Sequence, residues 1–277
     1  MKKICVALSI LLWGVTASLS RADQVVLQGL LPQELRGLAP DKLEAAKRFV
    51  LNNVRFVMFH ETGHLLVSEL DLPVVGREED AVDTLSTLVL LNHPDPELSE
   101  SVGPASVGWM FAGEDGAAAG ALPPMWDVHS LDQQRGYNII CLMYGKDPNY
   151  LVYAHAFGLP DERLQGCAQE YAQAARSWDK LLRPYQTQVQ NQSAFTVTYY
   201  KPEHWELDYY AKLAQSAGVL ELIDKTVTDS FALAPGMRIT ARECGFVNAF
   251  WMPSQRELTL CYELMPWFAE SFAKRNR

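Results

Sequence analysis

Phe59-His60-Glu61-Thr62-Gly63-His64-Leu65 is the stretch on which the reading of this chain turns. It lies inside a longer apolar run from Asp41 to about Leu70. Phe49, Val50, Val54, Val57, Met58, Leu65 and Leu66 are dense enough there for a helix buried on most sides. Asp41 is expected as its N-cap, with Glu44 at the capping-box position, and Pro73 and Gly76 as its break. On a helix, residues four apart stack on one face, so the imidazoles of His60 and His64 can reach one Zn²⁺ at about 2.0–2.1 Å. Glu61 follows the first histidine directly, where a carboxylate can take a proton from a metal-bound water. One zinc ion is the expected cofactor.

Two histidines do not complete a zinc site; a third protein ligand is needed beside an open position. The next predicted helix, from about Glu78 to Leu91, opens with Glu78, Glu79, Asp80, Ala81, Val82 and Asp83. The three leading acids suit a helix N-terminus electrostatically. Only Glu79 has an anion one turn further on the same face, because Val82 follows Glu78 and Thr84 follows Asp80 at that spacing. His60, His64 and Glu79 are therefore the expected ligands. Asp83 is expected to hydrogen-bond the back of a ligand imidazole. Glu78 and His93 are the alternatives for the third ligand, although His93, before Pro94, reads first as a capping or surface residue.

Outward from this core the pattern is mixed. Gln24 to Gln28 reads as a strand, and the Gly-, Ala- and Pro-rich residues 99–125 read as a long loop. Helices are expected near 128–144, 147–157 and 160–182, a strand at 194–200 and helix again over 203–230. Short β-prone runs follow at Arg238–Arg242, Val247–Trp251 and Glu257–Tyr262, and a helix from Pro266 ends the chain. The fold class is α+β, mainly helical with a small antiparallel-type sheet and the H-E-x-x-H helix at its centre. On the 128–144 helix, His129, Asp132, Gln133, Gly136 and Tyr137 fall on one polar face. His129, Arg135 or Tyr137 can supply a donor to an oxyanion, and His129 and Tyr137 are taken as the catalytic candidates.

The chain has 277 residues, 24 Lys+Arg against 33 Asp+Glu and a formal charge of −9, which argues against a general nucleic-acid binder. Its 15 Pro and 17 Gly are too few for a disordered or collagen-like chain. Lys2 and Lys3, an apolar run from Ile4 to Trp13, and Ser20-Arg21-Ala22 read as a signal peptide, residues 1–22, cleaved after Ala22. That run is too short to span a membrane, so no stable membrane insertion is expected after its removal. Residues 23–277 are then a single periplasmic or secreted domain. Four cysteines remain in it, and an even number in an oxidising compartment favours two disulfides. Of three connectivities, Cys141–Cys167 and Cys244–Cys261 are favoured, because each closes a short loop between adjacent predicted elements.

H-E-x-x-H followed on a second helix by E-x-x-x-D resembles the thermolysin-like (gluzincin) zinc peptidases. That resemblance implies His60, His64 and Glu79 as ligands, Glu61 as base and Asp83 as support for the first histidine. Asn248-Ala249-Phe250-Trp251 is similar to the N-A-F-W of the active-site edge strand in that family, which implies Asn248 and Ala249 as substrate-binding residues. The order differs, since here the strand follows the zinc helix. Over most of its length the chain resembles a family of uncharacterised bacterial proteins described as putative metallopeptidases. The matching stretches are His60–His64, Gly76–Ala81, His129–Arg135 and Glu243–Glu263. The resemblance implies a zincin-like fold and zinc-dependent hydrolysis of a peptide or protein substrate. Two other readings compete. One is an exported zinc-binding protein that holds a peptide or cell-envelope partner with little or no catalysis; the other is zinc-dependent hydrolysis of a non-peptide amide.

Overall fold

A thirty-residue helix, α1 (Pro40–Glu69), is the axis of the computed structural model, which describes residues 31–187 and 193–277. Pro40, with its φ preset, occupies the first turn. Ala39 precedes it as N-cap without a side-chain hydrogen bond, so Asp41 sits inside the first turn and the expected capping box does not form. The apolar density of α1 is explained by its neighbours: α2 (Glu78–Leu91), α4 (Val102–Ala118), α10 (Leu264–Asn276) and strand β3 (Ala249–Met252) all pack on it. α3 (Pro96–Ser99) is a single turn between α2 and α4, capped by Asp95.

Two close approaches set this packing. A Cβ on Gly63 would lie 2.6 Å from the Val82 Cβ, so the glycine within His-Glu-Thr-Gly-His lets α2 run against α1 at the level of the histidines. The Ser86 hydroxyl donates to the Phe56 carbonyl at 3.0 Å and ties the same two helices further along. On α4 a Cβ at Gly108 would meet the Asn53 Oδ1 at 1.9 Å. The stretch expected as a loop at 99–125 is thus largely helix. Its small residues are what let a buried helix sit against α1, and tertiary packing overrides the weak helix propensity of glycine.

The remaining helices are α5 (Asp132–Lys146), α6 (Leu151–Ala156), α7 (Asp161–Leu182), α8 (Asp208–Ser216) and α9 (Val219–Ser230). α5 starts later than the expected 128, which leaves His129 outside it. The 203–230 helical stretch is divided at Gly218, whose φ is +60°. The disulfide Cys141–Cys167 joins α5 to α7, and Cys244–Cys261 joins the end of β2 (Met237–Arg242) to the end of β4 (Glu257–Cys261), both as paired from the sequence. Each is worth about 2–4 kcal/mol through restriction of the unfolded chain.

With β1 (Phe195–Tyr199), the strands form a sheet in the order β1-β2-β4-β3. β1, β2 and β4 run parallel and only β3 is antiparallel, so the expected antiparallel-type sheet is corrected to a mixed one. The helices α8 and α9 lie between β1 and β2 in the chain and supply the long crossover that parallel pairing requires. One sheet face carries the buried Ile239, Ala241, Leu258, Leu260, Ala249 and Trp251. The other carries Arg238, Thr240 and Glu257, joined by hydrogen bonds across the β2–β4 register. α1 lies against β3 and β4, and α9 against β1 and β2. β3 is an edge strand, and it stands beside the histidine face of α1. Among the described residues no helix is long and apolar enough to cross a membrane. The expected signal peptide and the strand at Gln24–Gln28 lie outside the described residues.

Candidate metal centre

The histidine face of α1 and the first turn of α2 meet at one point. The His60 and His64 Nε2 atoms lie 3.3 Å apart, and the Glu79 Oε2 is 3.1 Å from each. Both histidines are held from behind. The His60 Nδ1 lies 2.7 Å from the Asp83 Oδ1, and the His64 Nδ1 lies 2.7 Å from the Glu78 Oε1. Asp83 in turn accepts both ends of the Arg135 fork, from Nε at 2.7 Å and Nη2 at 2.8 Å. That guanidinium lies 3.6 Å from the centroid of the Trp109 ring. Burial alone would raise the Asp83 carboxyl, but the Arg135 charge and its hydrogen bonds outweigh it and hold Asp83 at about 2.

This donor set fits a divalent cation. A carboxylate behind each Nδ1 accepts a hydrogen bond from it, which keeps the proton on Nδ1 and leaves a lone pair on each Nε2. Two imidazole lone pairs and a carboxylate oxygen then face one another at 3.1–3.3 Å, an arrangement that repels unless positive charge stands between them. Zinc bonds of about 2.0–2.1 Å at tetrahedral angles set ligand atoms roughly 3.4 Å apart, close to what is seen. Protonation of the histidines offsets the same repulsion. Burial opposes the charge on His64, yet its hydrogen bonds to Glu79 and Glu78 lift it to about 9. Glu79, although burial raises it, is held far below the usual carboxylate range by His129, His60 and His64. A metal entering here displaces protons, the ordinary coupling of ligation to pKa.

Glu61 projects beside the cluster, with its Oε1 4.0 Å from the His60 Nε2. Burial pushes its carboxyl up, against the pull of the two histidines. The Trp251 backbone N–H donates to its Oε2 at 3.0 Å, which connects α1 to the edge strand. In an antiparallel pair, alternate residues turn their backbone groups toward and away from the partner. Asn248 accepts from the Cys261 N–H of β4, whereas Trp251 points to Glu61; the backbone of Ala249 shares the outward side with Trp251. Asn248 and Ala249 line a cavity of about 190 Å³ with His60, Glu61, His129 and Trp109.

The sequence-derived residues divide cleanly. His60, His64, Glu79, Asp83 and Glu61 come together, and Asn248 and Ala249 join them across the cleft. His129 also reaches the centre, from the turn before α5, with its Nε2 3.0 Å from the Glu79 Oε2. Tyr137 does not: its hydroxyl donates to the Phe157 carbonyl at 2.9 Å, and it packs against the Ile140, Cys141 and Ala154 cluster. Its role as an oxyanion donor is corrected on that ground. The shared helix face that suggested it does not exist, because the helix begins three residues after His129. Arg135 is spent on Asp83. The alternative ligand His93 accepts from the Asp95 N–H at 3.1 Å in a local turn.

Three partnerships were not read from the sequence: Glu78 behind His64, Arg135 behind Asp83, and Asp127, whose Oδ1 lies 2.9 Å from the His129 Nδ1. The acid run did carry a signal for the first. Glu78, Glu79 and Asp80 each find a different partner, respectively His64, the centre and the Ser130 hydroxyl.

Among curated proteins and among solved structures, none matches the chain. A family model described as "Putative metallopeptidase" matches residues 33–182 and 199–277, a span that contains every residue of the cluster. The chain therefore belongs to that metallopeptidase family.

Proposed function

We propose that the protein is an exported zinc-dependent peptidase of thermolysin-like, gluzincin character, with one Zn²⁺ held by His60, His64 and Glu79. The supporting observation is the convergence of three carboxylate-braced or carboxylate donors beside a further acid, Glu61, that is not needed to hold a metal. A purely metal-binding module has no use for that fourth group. Bound zinc supplies Lewis acidity, polarising a carbonyl and bringing the pKa of water toward about 7.

The chain's own residues account for the remaining steps. Glu61 receives the proton lost by the attacking water and returns it to the leaving amine. The Trp251 N–H keeps one Glu61 oxygen oriented, leaving the other free for that exchange. Asn248 and the outward backbone of Ala249 pair with the substrate backbone and align the scissile bond. His129, oriented by Asp127, borders the same space, and its Nε2–H, which meets the Glu79 Oε2 at 3.0 Å, would turn from that carboxylate to the oxyanion as it forms. The zincin-like domain spans residues 23–277 behind a signal peptide at 1–22. Two disulfides suit the oxidising periplasm or cell exterior that this implies.

Casein hydrolysis that a chelator abolishes and zinc restores, with about one zinc bound per chain, is the expected result. Glu61→Gln keeps the metal and loses about 10²–10⁴ in rate. Near-wild-type turnover in that variant removes Glu61 as the base and the mechanism with it.

A further inference from the structure

The family resemblance rests on four stretches, and three of them meet at the metal centre. The fourth, Glu243–Glu263, reaches it only through its middle, at Asn248 and Ala249. The acid that ends this stretch has a partner far from its own helix. Glu263 is the N-cap of α10, yet its side chain makes no cap hydrogen bond there. Its Oε1 instead accepts from two backbone amides of the β2–β3 loop, the Cys244 N–H at 2.9 Å and the Gly245 N–H. Its Oε2 is buried without a hydrogen-bond partner among the described residues. An acid at a helix N-terminus ordinarily serves that helix, and a buried oxygen without a donor costs stability. Stability alone does not account for a glutamate here.

What Glu263 holds leads directly into the cleft. Val247 and Asn248, just beyond Gly245, line the cavity of about 190 Å³ with His60 and Glu61. Leu264, Trp267 and Phe268, from the start of α10, line the same cavity. One carboxylate therefore joins two of its walls. The Cys244–Cys261 disulfide fastens the Cys244 side chain, and the Cys261 N–H donates to the Asn248 carbonyl at 3.2 Å. Between those two ties lies Gly245, whose φ of +84° is open to glycine and rare for other residues. Only the bonds to Glu263 fix how the amides of Cys244 and Gly245 point.

We propose that Glu263 is a positioning residue for the substrate edge. By fixing the amides of Cys244 and Gly245, it sets where Asn248 and the outward backbone of Ala249 stand relative to the metal and Glu61. This rests on the peptidase reading above, in which that edge pairs with the substrate backbone. Glu263 touches no reacting atom and acts through the loop. Charge-assisted hydrogen bonds to backbone amides are among the stronger ones, so two of them hold a glycine turn firmly. Precision matters at such an edge, because a displacement of about 1 Å can cost on the order of 10²-fold in rate.

Glu263→Ala in the zinc-loaded Glu61→Gln chain tests this with two probes. One is a labelled casein peptide read by fluorescence anisotropy; the other is acetohydroxamate, a small chelator that uses the metal alone. Peptide affinity is expected to fall about tenfold, roughly the worth of one or two backbone hydrogen bonds. Zinc and acetohydroxamate affinities are expected to stay unchanged. Glu263→Gln keeps an acceptor at the same reach and is expected to bind the peptide as the parent does. Glu263→Asp withdraws the acceptor by one methylene and is expected to lose affinity as alanine does. Should Glu263→Ala not fold, the Gln and Asp variants carry the comparison. An unchanged peptide affinity in Glu263→Ala, or equal affinities in the Gln and Asp variants, overturns the proposal. So does a loss of zinc or acetohydroxamate in step with the peptide, which marks a residue that only holds the fold. A parent chain that binds no peptide overturns it too, and casein hydrolysis by the wild type then decides separately whether the peptidase reading stands. Glu263-dependent peptide binding without any casein hydrolysis ends the peptidase reading and keeps the positioning role.

Discussion

His60 and His64 present the same atom to the same centre, and each is braced by a carboxylate at 2.7 Å, yet the two braces stand in different media. The His60–Asp83 arm is buried, clamped by a two-pronged arginine and covered by the Trp109 ring. The His64–Glu78 arm reaches the surface, where the Glu78 side chain is 46% exposed. A charge–charge contact of given length is several times stronger at the low dielectric of the first arm than in the screened second. Burial also removes water as a substitute partner, so every group on the first arm depends on the next. On the proposed metal reading, the buried arm would fix where the ion sits and the exposed arm would trim how tightly it is held.

The largest way to break this arrangement is to remove the ligand the arms share. Glu79→Ala is expected to lower zinc affinity by far more than the about 10–100-fold of an outer-shell loss, measured by competition with a chelating dye. An unchanged affinity moves the third ligand to Glu78. Next comes Arg135→Ala, which strands Asp83 as an uncompensated buried anion at a cost of about 3–5 kcal/mol in urea unfolding. Arg135→Lys recovers only part of that, because an ammonium cannot span both oxygens. Gly63→Ala forces a methyl into Val82 and is expected to cost about 1–3 kcal/mol while pushing Glu79 off its position. The finest test compares the braces themselves. Asp83→Asn is expected to weaken zinc by about 10–100-fold and Glu78→Gln by less than tenfold; equal losses in one titration series would show that burial makes no difference.

The legible parts of this molecule are those written in local spacing. The i, i+4 histidines, the Glu79–Asp83 pair and the α2 boundaries follow from helical geometry alone, and the cysteine pairs follow from short loops. What was illegible depends on approach between distant segments. Gly103, Gly108 and Gly113 on α4 look like a loop, but a Cβ at each would meet a side chain of another element. Arg135 seemed free to help an oxyanion until folding placed it against Asp83, 52 residues earlier. Tyr137 failed because a helix face was extended three residues too far. The direction of β1 was equally unreadable, since parallel pairing with β2 is decided by the crossover between them rather than by either strand.

Strand β3 ends one side of the sheet, and an open edge of that kind invites a neighbouring chain to continue the ladder. Here the edge is four residues long, Pro253 follows it at once, and the Trp251 amide is already taken by Glu61. What is left is the outward backbone of Ala249, about one residue pair, too short a ladder to seed a fibril. Glu61, the proposed base, thereby also caps part of the exposed strand edge. Losing the Glu61 carboxylate would then show up in a second assay, as a greater tendency of the concentrated protein to associate through its sheet edge.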